Sequence, residues 1–236
     1  MALGPRWLAG ALVTFSACPT TIVSGDGTLV SEARQVGAFT RVDIESAITA
    51  LITTGPRSVT VRTDQNLQAL VETLVEGDAL VVRVKANTSI TNHGALEATI
   101  ANDVLEGVAT SGAAKVTSAA TATSTFTVDA SGASTVSVSG ISASALSASA
   151  SGSSRVTLSG AAASASIVGS GASTLDLKAV PLTSASLELS GASSARAMVS
   201  SSLTGTVSGA STATITGTPS STVSVTGDSS LHTGAP

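Results

Sequence analysis

The sequence predicts an all-β chain wound into a single-stranded parallel β-helix, and three observations carry the prediction. A Ser-Gly or Thr-Gly step falls at residues 111, 131, 151, 170, 190, 208 and 226, so one coil takes about 18–20 residues in the C-terminal half. Self-similarity at such a period marks stacked units, each of which buries its apolar face only against its neighbours. Between the steps apolar and polar residues alternate, the period-two signature of strands with one buried face. Composition is the third observation: aromatic residues make up 2% of the 236-residue chain, Tyr is absent and charged residues amount to 11%. Such a chain needs an interior narrow enough for small and medium side chains to fill it. The strict alternation also argues against a disordered or glycosylated Ser/Thr-rich stalk.

The regular repeats span residues 111–236. Around Ser131 the alternate residues are Phe126, Val128, Ala130, Gly132, Ser134, Val136 and Val138, and the next unit repeats the shape with Leu146, Ala148, Ala150, Gly152, Ser154, Val156 and Leu158. This reading puts two apolar strands and a small Gly-Ser centre on one inward face, with Gly132 at a bend where a Cβ would obstruct close backbone approach. Ser134, Ser154, Ser173, Ser193, Ser211 and Ser229 then form an internal ladder whose hydroxyls need hydrogen-bond partners. The outward positions after each step are Lys115/Thr117, Thr135/Ser137, Arg155/Thr157, Thr174/Asp176, Ser194/Arg196, Thr212/Thr214 and Ser230/His232. Charged residues interrupt these rows in most coils, which argues against a regular ice-binding face there. Pro181 in "KAVPLTS" and Pro219 mark outward excursions between strands. The closing "TGDSSLHTGAP" is short and polar, suiting an end that avoids pairing with another chain.

Residues 36–110 read as irregular coils. Val42 and Ile44, Val59 and Val61, and Leu80, Val82 and Val84 alternate with polar neighbours, while "TTGPRS" and "VEGDA" carry the residues of turns. Gln68 to Glu76 reads as strand because Val71, Thr73 and Val75 are β-branched.

The segments "FTRVDIES", "SVTVRTDQNL" and "VEGDALVVRVK", followed in order by recurrent "SGAS", resemble the putative auto-transporter adhesin, head GIN domain family over residues 36–236. The resemblance implies a right-handed, pectate-lyase-like β-helix without catalytic residues, and an adhesive role. The chain departs from the family in carrying Ala and Ser where relatives commonly have Asp.

Ahead of this domain, residues 1–18 read as an export signal: Arg6 precedes an apolar run from Trp7 to Ala17, which ends at Cys18. The run is too short to span a bilayer comfortably. "FSAC" resembles the bacterial lipoprotein signal box, which implies lipidation of Cys18 and attachment to a membrane through an N-terminal lipid; Phe15 stands where the box usually has Leu, and ordinary cleavage after Ala17 is the alternative. Pro19 after the cysteine favours the outer membrane or cell surface over inner-membrane retention, with a periplasmic or secreted protein as the alternative. Residues 19–35, with "SGDGT", read as a tether. A lone cysteine allows no internal disulfide.

Chemical roles find little support. No His or carboxylate accompanies the serine ladder, as a nucleophile would need. Asp43 and Glu45 share a strand face, Glu72 and Glu76 would share one only if their segment were helical, and His93 and His232 are far apart in sequence. Gly25-Asp26-Gly27 lacks the spacing and the Lys-Ser/Thr pair of a phosphate loop. Asn87-Thr88-Ser89 formally fits a glycosylation site. With a net charge of -4 and scattered basic residues, nothing marks a nucleic-acid footprint. The sequence therefore reads as a non-enzymatic envelope or surface protein with no catalytic residue, cofactor or metal, and with a surface ligand such as a glycan or an envelope component as its partner. A carbohydrate-active β-helix enzyme and a purely structural envelope lipoprotein are the alternatives.

Overall fold

The computed structural model describes residues 21–235. In chain order the N-terminal part contains β1 (Thr21–Ser24), β2 (Leu29–Ala33), β3 (Arg41–Ile44), β4 (Thr49–Thr54) and β5 (Ser58–Asp64), then a 3-10 turn at Gln65–Leu70. It continues with β6 (Val71–Glu76), β7 (Ala79–Val84), β8 (Thr88–Thr91) and β9 (Glu97–Asn102). The regular half holds β10 (Gly107–Thr110), β11 (Lys115–Ala119), β12 (Ala122–Ala130), β13 (Thr135–Ala150), β14 (Arg155–Gly169), β15 (Thr174–Leu189) and β16 (Ser194–Val207). It ends with β17 (Thr212–Thr216), β18 (Ser220–Val225) and β19 (Ser230–Gly234).

Together they form a parallel β-solenoid of about 6 turns. Along the parallel strands residues pair with their equivalents one coil away, and the stacking continues N-terminal of the regular half: β10 pairs in parallel with both β3 and β12, and β11 with both β4 and β13. Like therefore stacks on like. One core column runs Leu80, Val42, Val108, Val128, Ala148, Ile167 and Leu187, all buried. Burying each of the larger aliphatics stabilises by roughly 1.5–3 kcal/mol before chain entropy is counted, so a coil holds only through its neighbours.

The corner differs from the sequence expectation in one respect. Gly132 is exposed, not inward. Gly132 and Ala133 form a turn between Ala130 and Ser134, and because the turn adds an even number of residues, both flanks keep the same parity. Close backbone approach is confirmed: the Ala133 amide donates to the Gly112 carbonyl at 2.7 Å, and the Ser153 amide to the Gly132 carbonyl at 2.7 Å. The serine ladder is internal as expected for Ser134, Ser154, Ser173, Ser193 and Ser211, whereas Ser229 in the last coil is half-buried. Thr110 Oγ1 donates to Ser134 Oγ at 2.9 Å, Ser154 Oγ to the Ala130 carbonyl at 3.2 Å and Ser193 Oγ to the Gly169 carbonyl at 3.3 Å. Ser173 Oγ is buried without a partner among the described residues. At Pro181 the excursion is a bulge inside β15, where Leu177 faces Ala197 but Pro181 already faces Met198.

The N-terminal end departs more. β2 and β5, β5 and β9, and β6 and β7 pair antiparallel, so parallel winding gives way to antiparallel strands at this end. The segment read as a tether contains β1, paired with β8, and β2, paired with β5. The segment read as strand from Gln68 to Glu76 is a 3-10 turn through Leu70 and a strand only from Val71. Both differences trace to side chains of "DQNLQ". Buried Asp64 accepts the Gly27 amide at 3.1 Å and the His93 amide at 2.9 Å. Asn66 Nδ2 donates to the Ser24 carbonyl at 2.8 Å. Gln68 Nε2 reaches the Val30 carbonyl at 2.9 Å and the Val61 carbonyl at 3.2 Å, while Arg34 Nη2 donates to Gln68 Oε1 at 2.8 Å. A Cβ at Gly25 would overlap the Asp64 carboxyl, which explains the Gly of "SGDGT".

Cys18, the site expected to be lipidated, and the export signal lie outside the described residues.

Candidate functional site

The outward pairs after each corner line up as two rows on one face. In register they extend beyond the repeats into the N-terminal strands. One row is Glu97, Thr49, Lys115, Thr135, Arg155, Thr174, Ser194, Thr212 and Ser230. The other is Thr99, Leu51, Thr117, Ser137, Thr157, Asp176, Arg196, Thr214 and His232. Eight steps of about 4.8 Å make the face roughly 38 Å long. Leu51 is 48% exposed within the hydroxyl run, a large apolar side chain among Thr99, Thr117 and Ser137. A shallow hollow of about 340 Å³ lies there, lined by Thr49, Leu51, Glu97, Thr99 and Thr117 among others. Arg62 closes this end through an ion pair with Glu97 at 3.0 Å.

The face joins groups that the sequence kept apart. Asp176 stands beside Arg196 in the register, and Lys178 Nζ lies 3.6 Å from Asp176. Leu51 and Glu97 fall outside the regular period and were missed; Thr49, Ala50, Leu51 and Ile52 do show exposed-buried alternation, but nothing local fixes their phase against the repeats.

The acids gather elsewhere. Asp43 faces Ala109, which faces Asp129, so the two carboxylates are two coils apart on one row. Glu72 and Glu76 do share a face, although β6 is a strand and not a helix: a spacing of four is also even, as a strand requires. Both reach Arg83, at 3.0 and 3.7 Å. His93 lies beside Asp64 at the N-terminal end and His232 in the last coil. Gly25-Asp26-Gly27 is held by Asp64 and Asn66. Asn87 has a positive φ of 58° in the turn before β8. Among the described residues no three of His, Cys, Asp and Glu are grouped to hold a metal ion.

Half-burial pushes the Asp43 carboxyl above the ordinary carboxylate range; Glu45 adds to the rise, Arg41 opposes it, and Asp129 and Glu76 add further. The folded chain thus keeps this proton to higher pH than the unfolded chain, and stability falls as pH rises from the unfolded through the folded value. Asp43→Asn removes that loss. Thermal melts should show a higher Tm for the variant at neutral pH and no gain below the ordinary carboxylate range; equal gains at both would refute this assignment.

The fold and this face define a class: a β-solenoid that displays outward side chains in regular rows. Residues 38–219 match the family described as "Putative auto-transporter adhesin, head GIN domain". The chain belongs to that family. Among solved structures it is similar to a putative adhesin from Bacteroides fragilis, with a TM-score of 0.82 at 17% identity over 89% of this chain and 99% of the other. A putative adhesin from Parabacteroides distasonis gives a TM-score of 0.66 at 19% identity over 90% and 99% of the two chains. A protein described as a putative lipid binding protein from the same organism gives 0.65 at 15% identity over 90% and 99%. No curated protein matches the chain.

Proposed function

We propose that this protein is a non-enzymatic recognition module of the cell envelope, carried to the outer membrane or cell surface by its N-terminal signal, anchored through Cys18, and binding a linear surface polymer, a glycan, along the two-row face. The observation that carries the reading is the register of that face, which sets hydroxyls, scattered charges and the exposed Leu51 at constant spacing. Hydroxyl rows offer both donors and acceptors, and an exposed aliphatic packs against apolar ligand surface. Family membership supports the adhesive role.

Glycan-array binding and attachment of cells bearing the protein test the reading. Leu51→Glu and Thr117→Glu should each weaken binding about tenfold, the effect of losing about 1.4 kcal/mol, while Ser149→Glu, on the row of Asp129, should leave it unchanged. Attachment unaffected by deleting the body after Cys18 would leave a purely structural envelope protein, and release of shortened glycan would reveal an enzyme. Mass spectrometry of the mature N-terminus tests the anchor, and an unlipidated Cys18 would refute it.

A further inference from the structure

The two ends of the solenoid are finished differently. At the C-terminal end, among the described residues, β18 pairs only with β16 and β19 only with β17. The Thr226 amide donates to the Val207 carbonyl and the Ser230 amide to the Ser211 carbonyl. By the alternation of a parallel ladder, the backbone N–H and C=O of Val223, Val225, Leu231 and Thr233 therefore point away from the preceding coil. Their side chains occupy the core columns, and the core is open here: Val225 is 42% exposed, whereas Val207 beneath it is 0%.

Strand edges usually carry charges, prolines or covers that prevent pairing with other chains. The N-terminal end has them. Glu32 lies on β2, Glu72 and Glu76 lie on β6 with Arg83 beside them, and the Gln65–Leu70 turn packs alongside. The strands "SSTVSV" and "SLHTG" contain no Lys, Arg, Asp, Glu or Pro. The polar side chains that suggested an end protected from pairing, Thr222, Ser224 and His232, lie on the exposed lateral faces and leave the edge itself unguarded.

We infer that the last coil docks a second copy of this chain, tip to tip, through the edges of β18 and β19 around a two-fold axis. A row of free backbone donors and acceptors over an open apolar core fits a β-strand. Head-to-tail stacking would need a matching free parallel edge at the N-terminal end, where antiparallel strands and charges stand instead. The edge that matches is the same one on another copy: its two strands carry no Asp, Glu, Lys or Arg, Asp228 standing outside them in the turn that joins them, and a two-fold closes the pair without polymerising.

Sedimentation velocity of the full chain over a dilution series tests this. The expected result is a two-chain species that dissociates on dilution. Val225→Lys places a charge on the edge, and Val225→Pro removes an N–H that faces away from β16; each should weaken association at least about tenfold, while Thr117→Lys on the lateral face leaves it intact. Hydrogen exchange of the unmodified chain provides a second readout that does not depend on a variant folding: the amides of Val223, Val225 and Leu231 should be protected at high concentration and not at low. A monomer throughout the micromolar range, a dimer indifferent to both edge variants, an open-ended polymer, or exchange independent of concentration would overturn the inference.

Discussion

Gly152→Ala is expected to destabilise the protein by about 3 kcal/mol or more, whereas Gly140→Ala should lose only about 1–2 kcal/mol. Both glycines have a positive φ, 70° and 73°, so an Ala is strained at each. Their surroundings differ. A Cβ at Gly152 would lie 2.5 Å from the Gly132 carbonyl oxygen, while one at Gly140 would meet only the Ala120 carbonyl oxygen, at 4.0 Å. At the first position a coil must move off its neighbour, and backbone cannot yield as a side chain can. For a domain of this size the larger loss corresponds to roughly 6–12 °C in Tm. Calorimetry on the pair separates strain from collision, and equal losses would show that coil-to-coil approach is unimportant.

The second large effect is expected at Asp64. Asp64→Ala removes the acceptor of two amides, Gly27 and His93, at a position with 0% exposure. Losing two hydrogen bonds to a buried carboxylate should destabilise by about 3 kcal/mol, at roughly 1.5–3 kcal/mol per bond to a charged group. The damage should be local first. Residues 25–33 and 88–93 lose their shared anchor, so limited proteolysis should cut there while the coils from β10 onward stay protected. Asp64→Asn keeps one acceptor oxygen and should fall between the variant and the native chain. Uniform loss of protection along the whole solenoid would show that Asp64 has no special hold on this end.

These two positions also show what could be read from the sequence. Gly152 belongs to a repeat in which sequence neighbours at one period are spatial neighbours, so periodicity reports tertiary contact directly. The corner, the serine ladder and the outward rows of the regular half were legible for that reason, although the exposed turn at Gly132 was not, because an even-numbered turn leaves the alternation looking unbroken. Asp64 is different. Its role depends on Gly27, 37 residues earlier, and on His93, 29 residues later, and no local pattern announces such a junction. The β2 strand and the 3-10 turn were missed because side-chain hydrogen bonds across that distance, not propensity, decide them. Leu51 and Glu97 joined the face only when the register of β4 and β9 against β11 was known.

Because neighbouring coils are joined by hydrogen bonds that run along the solenoid axis, the direction of a pull matters to any protein that holds on to a surface. Tension applied at the tip stretches the ladder end-on and peels the last coil first. The same tension applied to a ligand lying across the lateral rows is shared among many strands at once. Peeling that begins at the tip travels toward the part where antiparallel pairs and the Asp64 anchor bind the chain in more than one direction, and there the molecule has its mechanical stop.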